Sequence, residues 1–282
     1  MNSKSPIKDD HTTTTGQKTP DQTFVAPCRT LPWHRPFTWL RLGWKDYRAV
    51  PRISRNYGLL VFLITAGMAL LAWAVGGWVL LFAMLTGFVF IAPVFAFALY
   101  SVSRQLAQGK RPSLSRTLQT LRRPFSNAMV FGLVLLIVFL VWARAGSMVH
   151  IFFPVESHPE WTDLLTFLGI GTTIGALFAG FTFAASAFSL PMLANREVDV
   201  VTAVVSSINA VLRNKPAMLV WATLIVLLTL AGILTGLLGL IVVIPWLGYA
   251  TWHAYRDSID VSAWPTLPVL GKEDISPPQS EN

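Results

Sequence analysis

Residues 57–103 read YGLLVFLITAGMALLAWAVGGWVLLFAMLTGFVFIAPVFAFALYSVS, 47 positions without a single Asp, Glu, Lys or Arg. An uncharged apolar run of roughly 18 or more residues is the mark of a transmembrane helix. This one is too long for a single crossing. At about 1.5 Å per residue it reaches about 70 Å, over twice the thickness of the hydrocarbon core. Gly76-Gly77 sits near its middle and offers a place to turn. The stretch therefore divides into two spans, 57–75 and 78–100.

The rest of the chain follows the same plan. Of 282 residues, 53% are hydrophobic and only 13% charged, where a soluble domain carries about 25% charged residues. That balance excludes a soluble enzyme, a secreted disulfide scaffold and a nucleic-acid-binding domain, despite a pI near 10.0. A third span is expected at 128–149, interrupted only by Arg144, which can snorkel to the interface. The fourth, 164–190, is ended by Pro191. The last uncharged block, 217–252, is again too long for one crossing, and Gly232, Gly236 and Gly239 offer the break between spans 237–253 and 217–235.

An internal repeat supports that last division. Three times the chain shows an amphipathic segment, a basic boundary, two apolar spans and a polar exit. The boundaries are RISRNYGLL (52–60), RRPFSNAMVF (122–131) and LRNKPAML (212–219). The exits are APVFAFALYSVSR (92–104), SLPMLANRE (189–197) and IPWLGYATWHAYRD (244–257), with Pro93, Pro191 and Pro245 near them. The expected fold is all-α: a polytopic membrane helix bundle of six spans, in three repeats of an amphipathic helix plus two spans. Residues 36–258 form this membrane domain. The polar, Thr-rich tail 1–35 and the Pro-rich tail 259–282 bury too little apolar surface to order and are expected to be disordered.

Each unit opens with a candidate surface helix. Phe37, Leu40, Trp44 and Tyr47 share a face, with Arg41, Lys45 and Arg48 opposite. Leu114, Leu118 and Leu121 repeat the pattern, as do Val198, Val201, Val205, Ile208 and Leu212. Such helices lie among lipid headgroups or pack beneath neighbouring spans, and periodicity does not separate the two.

Orientation follows from counting. With six spans, twenty-one Lys and Arg fall on one side of the membrane and Arg144 alone on the other. The positive-inside rule places the basic side, and both termini, in the cytoplasm. The first apolar run begins at Tyr57, too late for a cleavable signal peptide, so the first span is expected to act as an uncleaved insertion signal. Cys28 is the sole cysteine and can close no intrachain disulfide.

Chemistry is sparse. No Asp, Glu or Lys lies within any expected span, so a proton-coupled transporter lacks its carboxylate. The five His residues are scattered, where a haem or copper site needs them facing one another. No metal, cofactor or nucleophile–base pair is expected. The fourth span is rich in Gly, Ala, Ser and Thr, with Gly171/Gly175 and Ala176/Gly180 at close-packing spacing. Two polar clusters stand at the cytoplasmic boundary, ANREVD (194–199) and TWHAYRD (251–257). If these exits converge, Arg196, Asp199, His253 and Arg256 form the candidate interface or headgroup-binding site. Otherwise they are independent anchors.

Four stretches carry a family resemblance: GWKDYRAVPRIS (43–54), GFVFIAPVFAFALYSVSRQLAQG (87–109), SAFSLPMLANREVDVVTA (186–203) and YATWHAYRD (249–257). Together they resemble the proteobacterial integral-membrane family called domain of unknown function 2189, over about residues 36–258. Members are sometimes labelled cytochrome c oxidase subunit I-like, but this chain lacks the intramembrane His set of such a subunit. The third unit also resembles the membrane domain attached to some glycerophosphodiester phosphodiesterases. The resemblance implies a bacterial inner-membrane location and supplies no catalytic residues.

The functional expectation is a non-enzymatic multi-pass inner-membrane protein acting as a scaffold, assembly or envelope-homeostasis factor. Membrane lipids and other inner-membrane proteins are its expected partners, with no nucleic acid among them. The alternative is a channel or transporter for a small neutral or lipid-like solute, lined by the fourth span.

Overall fold

The computed structural model describes residues 24–110, 112, 114–152 and 161–267. Along them run α1 (Arg35–Ala49), α2 (Pro51–Phe95), α3 (Phe97–Ala107), α4 (Leu114–Phe152), α5 (Trp161–Ser186), α6 (Ser189–Asn195), α7 (Val200–Arg213), α8 (Lys215–Leu234) and α9 (Leu240–Ser258). Extended pairing among the described residues is limited to two isolated antiparallel bridges, Cys28 with Ile259 and Arg196 with Thr266. Residues 153–160 and the tails 1–23 and 268–282 lie outside the described residues.

Four helical segments among the described residues are long and apolar enough to cross a membrane: Pro51–Val75, Met129–Gly146, Leu165–Asn195 and Lys215–Leu234. They bury little of themselves inside the protein, 6% of the most apolar window in Leu165–Asn195 and 11% in Met129–Gly146. Their outward faces, such as Leu219, Val226, Leu230 and Leu234 on α8, are apolar. A helix that is hydrophobic all round and open on its flanks suits lipid as solvent.

Helical hydrogen bonding runs unbroken through Gly76-Gly77, yet α2 cannot be straight. Ser54 near its start touches the Tyr249 hydroxyl at 3.0 Å. Leu99 and Val102, just beyond its end, pack around the same tyrosine together with Ile53 and Tyr57. A straight helix would carry Phe95 about 60 Å away from Ser54. The chain therefore bends back between Ser54 and Leu99.

The last apolar block is two helices. They are joined at 235–239 through Gly236 and Leu237, both with φ near +70° (69° and 70°). The Thr235 hydroxyl fastens this turn, accepting from the Gly239 amide at 2.7 Å and donating to the Gly232 carbonyl at 2.8 Å. Helix α9, the sixth expected span, carries Pro245, Tyr249 and His253 and is not among the four most apolar segments.

Three expectations need correction. Pro191 does not end the fourth span: the helix breaks earlier, at Ala187-Phe188, where the Ser207 hydroxyl accepts from the Phe188 amide at 3.0 Å. Pro191 then falls in the first turn of α6, where its missing N–H costs nothing. The second amphipathic segment is no separate surface helix but the opening of α4, which runs on as a span. Finally, parts of both expected disordered tails are bound. The Arg29 amide donates to Ser258 O at 2.9 Å, Asp260 N to Pro27 O at 2.8 Å, and Leu267 N to Asn195 O at 3.1 Å. Ala26, Val261, Trp264 and Leu267 are buried in consequence. Backbone pairing and a few anchoring side chains order segments whose composition alone would not.

The main core joins α1, α6, α7 and α9, with Trp39, Trp252, Tyr255, Phe188 and Met192 among its buried side chains, to Tyr100 of α3, Phe131 and Leu135 of α4, and Met218 and Trp221 of α8. Helix α1 packs on α9 through Trp39, Leu40 and Gly43. Helix α7 buries Ala203, Ser207 and Ala210 against α5 and α6. Both amphipathic helices thus spend their buried faces on protein, while Phe37 and Val201 remain exposed.

Candidate functional site

The last turns of α3, α6 and α9 end side by side, and the 259–267 segment folds across them. Each of these ends brings polar side chains whose partners are remote in sequence. On α9, the Asp257 carboxylate accepts from Arg35 Nε at 2.5 Å, Arg35 Nη2 at 3.0 Å and Trp39 Nε1 at 2.9 Å. One turn earlier, His253 Nε2 lies 2.9 Å from Asp46 Oδ2, which also accepts from the Ser103 hydroxyl at 2.8 Å. Asp46 of α1 thereby joins α3 to α9.

Loss of that junction has a predictable cost. Ser103 is 1% exposed, so Asp46→Ala leaves its hydroxyl buried without this acceptor. We expect a loss of about 1–2 kcal/mol, read by thermal unfolding in detergent. The double variant with His253→Ala should lose less than the sum of the singles, because both remove one contact. Strict additivity would show that the histidine contributes nothing to the junction.

Of the four residues singled out from sequence, Arg196 and Arg256 meet and the other two do not join them. Asp199 caps α7, accepting from the Thr202 amide at 2.8 Å and its hydroxyl at 2.7 Å, as an N-cap aspartate does. His253 is turned to Asp46. Arg196 and Arg256 instead line a cleft of about 280 Å³ together with Arg29, Arg104, Gln108, Asn195, Asp260 and Ser262.

Two of its arginines carry no mark of their own in the sequence. Arg104 was one of many boundary cations, and Arg29 belonged to a tail. The structure sets Arg104 apart: it is 2% exposed, with Nη1 donating to Ala194 O at 2.9 Å and Leu267 O at 3.4 Å. Burial lowers its pKa to about 10, which still leaves it charged at neutral pH. Arg196 Nη1 donates to Trp264 O at 2.6 Å. Asn195 Nδ2 donates to the Tyr255 hydroxyl at 3.0 Å. Burial pushes that phenol up to about 12, against the opposing Asn195 bond, the charges of Arg196 and Arg256 and a hydrogen bond with Arg196.

The cleft is cationic, with four arginines facing one carboxylate. Asp260 accepts from the Ser262 amide at 3.1 Å. The Arg35–Asp257 ion pair and the His253–Asp46 contact lie elsewhere. Among the described residues no group of three or more His, Cys, Asp and Glu is placed to hold a metal.

Residues 80–195 match the model of a family described as "Predicted integral membrane protein (DUF2189)". The matched stretch runs from the middle of α2 to the end of α6, narrower than the expected 36–258. It contains Arg104 and Asn195 but not Arg29, Arg196 or Arg256. No curated protein and no solved structure matches the chain. With its apolar helices, the match makes this an integral membrane protein.

Proposed function

We propose that the chain is a non-enzymatic scaffold or assembly factor of the bacterial inner membrane, with both termini in the cytoplasm and six arms rising in three hairpins. Its partners are membrane lipids and other inner-membrane proteins. One observation carries this reading: the buried core is drawn mostly from α1, α6, α7 and α9, while the most apolar windows of the four candidate spans are only 6–22% buried. A rigid platform with open membrane arms is a shape for holding partners.

Two hydroxyls of the fourth span favour it over a channel. Thr166 and Thr173 donate to Thr162 O and Gly169 O of their own helix, each at 2.7 Å. Hydroxyls satisfied in this way need no aqueous path. Nor is the glycine face of α5 packed closely within the chain: a Cβ at Gly171 or Gly180 would meet nothing within 4 Å among the described residues.

Crosslinking in native membranes followed by affinity purification tests the reading, and a specific set of co-purifying inner-membrane proteins is expected. Reporter fusions after Asp260 and within residues 156–160 should report cytoplasmic and external sites respectively. Solute flux through proteoliposomes of the purified protein, with no co-purifying protein, would replace the scaffold by the channel. An external C-terminus would overturn the topology.

A further inference from the structure

The arginine cleft holds more hydrogen-bonding capacity than the fold uses. A guanidinium has five N–H donors in a fixed plane. Arg104 uses Nη1 on two carbonyls, and its Nε and Nη2 are buried with no acceptor among the described residues. Arg196 uses Nη1 on Trp264 and also acts on the Tyr255 hydroxyl, and its Nε is buried with no acceptor within hydrogen-bond distance among the described residues. Unpaired buried cations are costly, and proteins keep them paired or present them to a ligand. Here no carboxylate pairs with them among the described residues. Asp260 acts on Arg29 and Arg196 only through its charge.

We propose that this cleft binds a phosphate-bearing anion, with Arg104 and Arg196 held in its wall by backbone carbonyls and Arg29 and Arg256 at its rim. Four arginines lining one small space give it a positive charge that suits an anion with several acceptor oxygens better than a carboxylate with two. A volume of about 280 Å³ sits at the small end of ligand sites, room for a phosphate with a modest substituent. Phosphate of that kind comes from a phospholipid headgroup at the helix ends or from a soluble phosphate compound. The site goes beyond the scaffold reading and does not depend on it.

The test uses the full chain in phosphatidylcholine nanodiscs, titrated with inorganic phosphate against chloride at matched ionic strength, with unfolding temperature as readout. Phosphate should stabilise saturably. Arg256→Gln should weaken phosphate about fivefold, and Asp260→Asn should tighten it about two- to fivefold. Arg104→Gln alone is a poor test, because Arg104 also holds Ala194 and Leu267. Opposite shifts from the two rim variants are not produced by general destabilisation.

A second arm replaces part of the phosphatidylcholine by phosphatidylglycerol. Stabilisation by phosphatidylglycerol that blocks the phosphate response and is lost in Arg256→Gln identifies the lipid headgroup. A phosphate response that survives phosphatidylglycerol identifies the soluble compound. The proposal is overturned if neither additive acts through Arg256, or if both rim variants shift affinity in the same direction.

Discussion

Gly58→Ala is expected to destabilise the protein by about 3 kcal/mol, the upper range for overpacking. A Cβ on Gly58 would stand 1.9 Å from the Ile241 carbonyl oxygen and 2.8 Å from its Cα. Both neighbours are backbone, so no side chain can rotate away and α2 must part from α9. The sign is the informative part. In a helix with room, Gly→Ala gains up to about 1 kcal/mol from propensity. Gly67, on the same helix and exposed, meets nothing within 4 Å among the described residues. Gly67→Ala should therefore be neutral or stabilising while Gly58→Ala is severe, as measured by denaturant titration in mixed micelles. Equal effects at the two sites would mean that α2 and α9 do not cross as closely as described.

Asp257→Ala is the second large effect, about 2–4 kcal/mol. The ion pair alone cannot supply this: the Arg35 side chain is 43% exposed and Asp257 20%, and such pairs contribute about 1 kcal/mol at most. The larger share comes from Trp39, 1% exposed, whose indole N–H would be left buried without its acceptor at about 1–3 kcal/mol. Asp257→Asn keeps an acceptor for the indole and should recover about half the loss. A loss equal in the two variants would assign the effect to charge instead.

The pH dependence has a definite sign. Burial pushes the Asp257 carboxyl upward, but the bonds from Arg35 and Trp39, with the charges of Arg35 and Arg29, outweigh it and hold the group below its usual value. A depressed folded pKa contributes stability that is full above the unfolded value and is lost as pH falls through the folded one. The wild type should therefore lose stability in acid below the usual carboxylate range, and Asp257→Asn should lose less there.

The candidate site was only partly legible in the sequence. Arg196 and Arg256 were visible because each closes an exit motif at an apolar boundary. His253 and Asp199 stood in the same motifs, yet their side chains serve Asp46 and the start of α7. Motif position sets depth relative to the membrane; it does not set the direction in which a side chain points. Arg104 lay in the first exit motif without any mark of its own, because its burial depends on Ala194 and Leu267, 90 and 163 residues away. Arg29 was hidden by its company, a polar N-terminal stretch whose pairing to α9's end is made by backbone groups common to every residue.

The sequence by itself determined the solvent and the local conformation. Long uncharged runs call for lipid, and in lipid every backbone N–H and C=O must be satisfied within its own segment, which makes a helix of each run. The amphipathic periods of α1 and α7 are equally local, since side chains three and four residues apart share a face whatever lies opposite. Only the tertiary structure decided what lay opposite. The Gly58–Ile241 contact, the convergence of four arginines and the binding of the two chain ends depend on approaches between segments far apart in sequence. Those approaches are set by the packing of whole helices, and no short window of residues carries that information.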